Sequence, residues 1–131
     1  MTKPTLFDDG WELESGEVRH ADAPETFWIP ELAARKSLAI GDLAKLIFAI
    51  SVDNAAEPVA VERMWVIVRA IENGIYYGLL DNEPDSIQQN DEFWVGTEIP
   101  FGPEHVIDIE PGDEKSLALA LTQPLKEWPR T

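Results

Sequence analysis

The chain has 131 residues, and its 25 Asp and Glu against 10 Lys and Arg give a formal net charge of -15. A charge this negative repels phosphate backbones and anionic lipid, which argues against nucleic acid or a membrane as the partner. It would speed encounter with a basic protein, and the alternative is that the acidic surface serves solubility alone. The sequence has no cysteine, which excludes disulfides, thiolate nucleophiles and cysteine-based metal sites, and no stretch has the composition of a signal segment or membrane span. We therefore expect a single cytoplasmic domain over residues 1–131.

The first part of the chain changes from polar to apolar near Thr26. Residues 1–25 are acidic and interrupted by proline and glycine, which predicts an extended N-terminal arm. Pro30 suits the first turn of a helix, so a short helix is expected over residues 31–37. Apolar residues alternate along Leu43–Ser51 and predict a strand with one buried face.

The most strand-like run of the chain, residues 61–71, is rich in Val, Ile and Trp. Asn73-Gly74 follows, a dipeptide that tolerates the positive φ values of a two-residue hairpin turn, and Ile75–Leu80 resumes the apolar pattern. The two strands are predicted to pair antiparallel in the register that a two-residue turn sets. That register places three pairs of residues opposite each other: Ala70 and Tyr77, Val68 and Leu79, and Arg69 and Gly78.

Beyond this hairpin, an acidic connection leads to predicted strands over residues 93–99 and 105–109. Asp113 predicts the N-cap of a helix over residues 114–121, although three leucines there recur at a period of two, as in a strand. Trp128 is expected to dock on the body of the domain, because an exposed tryptophan leaves a large apolar area in water.

These elements predict a mainly β fold. Short strands joined by tight turns favour a small curled antiparallel sheet or SH3-like barrel of about five strands with short helices. The alternative is an α+β fold with one helix on an open sheet.

The sequence contains no complete catalytic or metal-binding motif. Asp81, Glu83, Asp85 and Glu92 match the acidic positions of a calcium loop, but Ser86 stands where the sharp turn needs glycine. The two histidines have no metal-ligand spacing, and no serine lies in a nucleophile elbow. The prediction is therefore that the protein has no catalytic residue, metal or cofactor. The alternative is a small hydrolase or isomerase that uses paired carboxylates.

Four residues are of the types that dominate binding hot spots: Arg63, Trp65, Arg69 and Trp94. Three of them share the mixed face of the central strand, which is expected to be half exposed and available to a partner. The alternative is that the N-terminal arm or a helix covers both tryptophans as a second layer of core.

Three segments of the chain form a recognisable series: Gly41-Asp42 followed by Lys45-Leu46-Ile47-Phe48, then Glu62-Arg63-Met64-Trp65-Val66, then Tyr77-Gly78-Leu79-Leu80-Asp81-Asn82-Glu83-Pro84. This series resembles a widespread bacterial family of small domains of unknown function. The resemblance covers about residues 26–110, and Asn90-Asp91 departs from it where the family has Gly-Asp. It marks six signature positions as candidate interaction residues: Glu62, Arg63, Trp65, Gly78, Asn82 and Pro84.

Related families include immunity proteins of bacterial toxin systems, so the resemblance implies binding rather than catalysis. An acidic inhibitor is steered by long-range electrostatics to a basic toxin, which agrees with the charge of this chain. The expected function is a non-enzymatic binding module, with immunity-type inhibition of a basic bacterial protein as the more specific hypothesis.

Overall fold

The framework of the molecule is one curled antiparallel sheet. The structure, a computed structural model, describes residues 2–130. Within them the sheet has six strands: β1 (Trp11–Leu13), β2 (Leu43–Ser51), β3 (Val59–Glu72), β4 (Ile75–Leu80), β5 (Glu98–Phe101) and β6 (Asp108–Glu110). The strand order is β1-β2-β3-β4-β5, and β6 also pairs with β2. The prediction of a mainly β fold with a curled antiparallel sheet is confirmed.

Short helices surround this sheet. Those within residues 2–130 are α1 (Leu6–Asp9), α2 (Gly16–Asp22), α3 (Leu32–Arg35) and α4 (Glu114–Ala120), with a 3-10 turn over Pro103–His105. Both predicted helices are present: α3 has only four residues within the predicted range 31–37, and α4 has seven within the predicted range 114–121. Asp113 caps α4, since its Oδ1 accepts a hydrogen bond from the Ser116 amide at 2.8 Å. Of the helices in the described residues, none has the length and apolar character needed to cross a membrane.

The N-terminal segment differs from its prediction. Its described part, residues 2–25, is not an extended arm but contains α1, β1 and α2. Hydroxyl caps explain the two helices, since Thr5 Oγ1 accepts from the Asp8 amide and Ser15 Oγ accepts from the Val18 amide. β1 then adds to the edge of β2 and buries Trp11 in the core.

The central hairpin turns where the sequence predicts. Asn73 and Gly74 have φ values of 52° and 77°, as a two-residue turn with two left-handed residues requires. Ala70 lies opposite Tyr77, which confirms the predicted register next to the turn.

Farther from the turn, a β-bulge at Arg69 changes this register. Val68 pairs with Gly78, and Ile67 pairs with Leu79, so the predicted pairs of Val68 with Leu79 and of Arg69 with Gly78 are wrong. The bulge inserts Arg69 as an extra residue on one strand, which shifts every later pair by one position. Gly78 therefore faces the core side of β3, and the Arg69 side chain is freed for another contact.

The core lies on the inner face of the curled sheet. It is built from alternate residues of β2 and β3 and from large side chains of β4 and β5, which include Leu46, Phe48, Met64, Val66, Tyr76 and Phe101. Trp11 stacks on Phe93 with ring centroids 4.9 Å apart and meets Trp128 edge-on at 5.8 Å. Trp128 is 9% exposed, so its predicted docking is confirmed.

The opposite face of β3 is more buried than expected. Ile67 is only 2% exposed, whereas the whole mixed face was predicted to be half exposed. α4, which follows β6 in the chain, packs against β3. This contact cannot be predicted from the sequence of β3 alone. Trp65 and Arg69 are half-buried and Arg63 is exposed, as predicted.

The last two predicted strands begin later than expected. Residues 93–96 form bends and a turn rather than a strand, because Gly96 has a φ of 94° and Thr97 Oγ1 accepts from the Trp94 amide at 2.9 Å. The predicted strand over residues 105–109 is replaced by the end of the 3-10 turn and then by β6.

The free edge of β5 has no main-chain donor left. The Glu98 amide donates to the Lys126 carbonyl at 2.9 Å, Pro100 has no N–H, and the Gly102 amide donates to His105 Nδ1 at 3.0 Å. These three residues alternate along the strand, so their amide positions face the same side.

Candidate functional site

The predicted site residues do not form one cluster. Glu62, Trp65, Asn82 and Pro84 come together where the connection after β4 crosses β3. The others are distributed over the sheet: Arg63 and Arg69 on β3, Gly78 on β4, and Trp94 in the turns before β5.

Two of the signature residues hold the connection after β4 in place. The Glu62 carboxylate accepts hydrogen bonds from the Asp85 amide at 2.8 Å and from the Ser86 amide at 3.1 Å. Asn82 Oδ1 accepts from the Trp65 amide at 2.6 Å, and Pro84 is buried. These contacts are internal to the protein, so they shape a loop rather than present groups to a partner.

Gly78 also has a packing role. A Cβ atom there would lie 2.9 Å from Val66 Cγ2 and 3.2 Å from the Ile67 carbonyl oxygen. The space that glycine leaves is thus filled by atoms of the neighbouring strand β3.

A groove lies where two acidic connections meet. The β2–β3 connection, residues 52–58, and the connection after β4 line a groove of about 700 Å³. Val52, Val59 and Ile87 supply apolar surface in it. We call this feature the acidic groove because of the charges on the two connections.

These connections carry carboxylates and contain no basic residue of their own. Residues 52–58 and 81–92 contain two and five acidic residues respectively and no Lys or Arg: Asp53, Glu57, Asp81, Glu83, Asp85, Asp91 and Glu92. All seven are exposed. Within residues 2–130, Glu92 alone among them forms an ion pair, with Lys126. Asp53 and Glu57, which line the groove and have no ion-pair partner within residues 2–130, therefore give the groove a negative potential.

A separate buried ion cluster centres on Glu98, whose side chain is fully buried. Its Oε2 lies 2.7 Å from Arg69 Nη1 and 2.9 Å from Arg130 Nη2, and its Oε1 accepts from the Trp128 amide at 3.0 Å. Burial by itself raises the pKa of Glu98, but the hydrogen bonds from Arg130 and Trp128 and the two arginine charges lower it below its ordinary value. An ionised carboxylate held this firmly ties the C-terminal segment to the sheet and is a poor general acid or base.

The His105 side chain has a structural role in the turn after β5. Its Nδ1 accepts from the Gly102 amide at 3.0 Å, which requires the ring to be unprotonated at that nitrogen. Burial lowers the pKa of His105, although the Glu104 carboxylate acts in the opposite direction. The neutral ring thus stabilises the turn after β5.

The two tryptophans named from the sequence, Trp65 and Trp94, are both half-buried. Lys45 Nζ lies 5.6 Å from the centroid of the Trp65 ring. The exposed Arg63 guanidinium lies 5.2 Å from the centroid of the Phe27 ring. Sequence reasoning missed Lys45 and the segment around Phe27, because their proximity to β3 depends on the tertiary fold.

No protein-family model, curated protein or solved structure matches the chain. The resemblance to a bacterial small-domain family therefore stays a prediction from the residues that carry it. Among residues 2–130, no three His, Asp or Glu side chains are grouped closely enough to hold a metal ion.

Proposed function

We propose that this protein is a non-enzymatic module that binds a basic protein in its acidic groove, and that it acts in the bacterial cytoplasm as an immunity-type inhibitor. The observation that supports the proposal is a partly apolar groove lined by two carboxylates, Asp53 and Glu57, and by no Lys or Arg, where two acidic connections meet.

Charge accounts for the approach of the partner. A net charge of -15 raises the association rate of a positively charged surface, and the carboxylates of Asp53 and Glu57 favour its approach to the groove. Salt screens this attraction over about 8 Å at physiological ionic strength, so the association rate should fall as salt is added.

The apolar surface in and beside the groove would hold the partner once it is bound. Val59 is 43% exposed, and Val61, two residues farther along β3 on the same face, is 52% exposed. A segment that alternates basic and apolar residues can place apolar side chains and lysine stems on these valines while its charged groups reach the carboxylate rim. This complementarity defines the partner by its chemistry.

A defined peptide tests the groove directly. A twelve-residue peptide of alternating lysine and valine is titrated into the isotopically labelled protein, and amide shifts locate its binding site. We expect the largest shifts in residues 52–60 and 86–88. The double variant Asp53→Asn, Glu57→Gln should weaken binding about tenfold, because two charge contacts are lost.

The matched control removes the same two charges elsewhere. Asp22 and Glu25 are exposed and lie outside the groove, so Asp22→Asn, Glu25→Gln should change the affinity less than about twofold, by altering net charge alone. Equal weakening in both variants, or shifts scattered over the whole surface, would refute a groove-specific site.

The inhibitor role has its own test. If a gene for a basic toxin lies beside the gene for this protein, co-expression should restore growth to cells that produce the toxin. The groove variant should fail to restore it, while the control variant should succeed. If both variants restored growth, the groove would not be needed for inhibition of the toxin, and the proposal would be contradicted.

A further inference from the structure

A second cleft, on the outer face of the sheet, contains both cations and aromatic rings. It has a volume of about 220 Å³, and its lining includes Phe27, Trp28, Lys45, Arg63 and Asp108. Lys45 and Arg63 lie on neighbouring strands, with Lys45 opposite Trp65 and Arg63 opposite Ile47. Their side chains therefore project from the same face of the sheet, as diagonal neighbours on the two strands.

These two cations differ from most others in the protein. Of the ten Lys and Arg, five form ion pairs with carboxylates: Arg19, Arg35, Arg69, Lys126 and Arg130. Within residues 2–130, neither Lys45 nor Arg63 has a carboxylate oxygen within 4.0 Å, although acidic residues outnumber basic ones 25 to 10. Both instead lie near aromatic rings.

Their polar hydrogens are also uncommitted inside the protein. In the part of the chain that the structure describes, no hydrogen bond joins the Lys45 ammonium or the Arg63 guanidinium to an acceptor. The one carboxylate in the lining, Asp108, uses its Oδ1 to accept from the Ile109 amide at 2.8 Å. Together the two cations offer eight N–H donors to an incoming acceptor.

We infer that this cleft binds a carboxylate side chain on an acidic segment of a protein, with an adjacent aromatic residue packed on Trp28. Trp28 is 70% exposed and borders the cleft, so it offers a broad apolar surface next to the cations. Arginine binds carboxylates through two parallel hydrogen bonds, and lysine adds a second charge.

A singly charged carboxylate fits this cleft better than a phosphate group. Asp108 in the lining and the net charge of -15 both repel an anion, and they repel a doubly charged phosphate more strongly. The flanking rings favour a ligand that also has an aromatic group. The site is separate from the acidic groove and does not depend on the function proposed for it.

A pair of dipeptides tests the inference. N-acetyl-Asp-Phe-amide and its neutral counterpart N-acetyl-Asn-Phe-amide are titrated separately into the labelled protein at physiological ionic strength. The readouts are the indole N–H signals of Trp28 and Trp65 and the Nε–H signal of Arg63. We expect saturable shifts with the Asp peptide and an affinity about tenfold lower for the Asn peptide, because the charge-assisted hydrogen bonds are lost.

Protein variants separate the local contacts from net charge. Lys45→Gln, Arg63→Gln should weaken binding of the Asp peptide about tenfold, and Asp108→Asn should strengthen it. Lys36→Gln, Lys115→Gln removes two exposed cations outside the cleft and should have less than about a twofold effect. If the Lys45 and Arg63 double variant loses its native spectrum, the exposed Arg63→Gln alone serves in its place.

Three results would overturn the inference. Equal affinities for the Asp and Asn peptides would mean that aromatic packing alone drives binding. Equal weakening in the two double variants would mean that only net charge matters. Tighter binding of inorganic phosphate than of the Asp peptide, with the same shifts, would assign the cleft to phosphate groups instead.

Discussion

Substitution of Glu98 by glutamine tests whether the buried ion cluster holds the C-terminal segment on the sheet. The substitution preserves the shape of the side chain but removes the charge that Arg69 and Arg130 share. Both arginines then lose their buried counter-ion, while the Trp128 amide keeps an acceptor.

The expected loss follows from the burial of the partners. Removal of one member of a buried ion pair costs about 3–5 kcal/mol in the free energy of unfolding. The Arg69 and Arg130 side chains are 24% and 32% exposed to solvent, and Arg130 Nε still lies 3.0 Å from the Glu72 carboxylate. We therefore expect a loss of stability near the lower limit of this range. A loss of about 3 kcal/mol corresponds to a fall of about 11 °C in the Tm of a chain this long.

Urea denaturation, followed by tryptophan fluorescence, measures the change. Glu14→Gln is the matched control, because the Glu14–Arg19 pair has a similar distance of 2.7 Å but is partly exposed. That substitution should cost less than about 1 kcal/mol. If the two variants lost equal stability, or if Glu98→Gln cost less than about 1 kcal/mol, the reasoning about the cluster would be refuted.

The same variant should change the response to acid. Because the folded state lowers the pKa of Glu98, its contribution to stability is complete above the pKa of an unfolded glutamate, about 4.3, and is lost as pH falls through the lower folded value. The difference in unfolding free energy between wild type and Glu98→Gln should therefore shrink as the pH falls below about 4. A constant difference across this range would contradict the assignment.

Three further predictions concern the residues around the hairpin and the turn after β5. Gly78→Ala should lower the free energy of unfolding by about 1–3 kcal/mol in urea denaturation, because the new methyl group meets Val66, and Val66→Ala in the same chain should recover part of the loss. Asn82→Ala should cost about 1–2 kcal/mol in the same assay, since the Trp65 amide loses its acceptor; no loss would show that water replaces it. Burial lowers the pKa of His105 in the folded protein, so near the ordinary pKa of histidine, about 6.5, the unfolded chain binds more protons than the folded one. The free energy of unfolding should therefore fall as the pH is lowered from about 7.5 to about 5.5. His105→Asn should make this pH dependence weaker, as measured by thermal unfolding at each pH.

The parts of the fold that were predictable depend on neighbouring residues in the sequence. The Asn73-Gly74 turn and the alternation along β2 are local signals, and both lead to the observed elements. The cap of α4 by Asp113 is equally local and decides against the strand that the leucine spacing suggested. Thr5 offers a comparable signal for α1 that the low apolar content of the segment obscured.

The parts that were missed depend on distant residues. The bulge at Arg69 accompanies an ion pair with Glu98, which lies 29 residues away, and no property of the hairpin alone predicts it. The acidic residues of the groove are visible in the sequence, but their meeting requires the connections of residues 52–58 and 81–92 to converge in space. For the same reason, the approach of Phe27 to Arg63 could not be predicted.

The arrangement along β5 limits how another polypeptide can recognise this molecule. With the amides of Glu98 and Gly102 engaged and Pro100 unable to donate, an incoming strand finds no main-chain donor on that side and cannot extend the sheet with a complete hydrogen-bond ladder. Fibril growth by strand stacking is blocked there by the same means. Binding specificity on that side must therefore reside in side chains, which substitution can alter while the β scaffold stays intact.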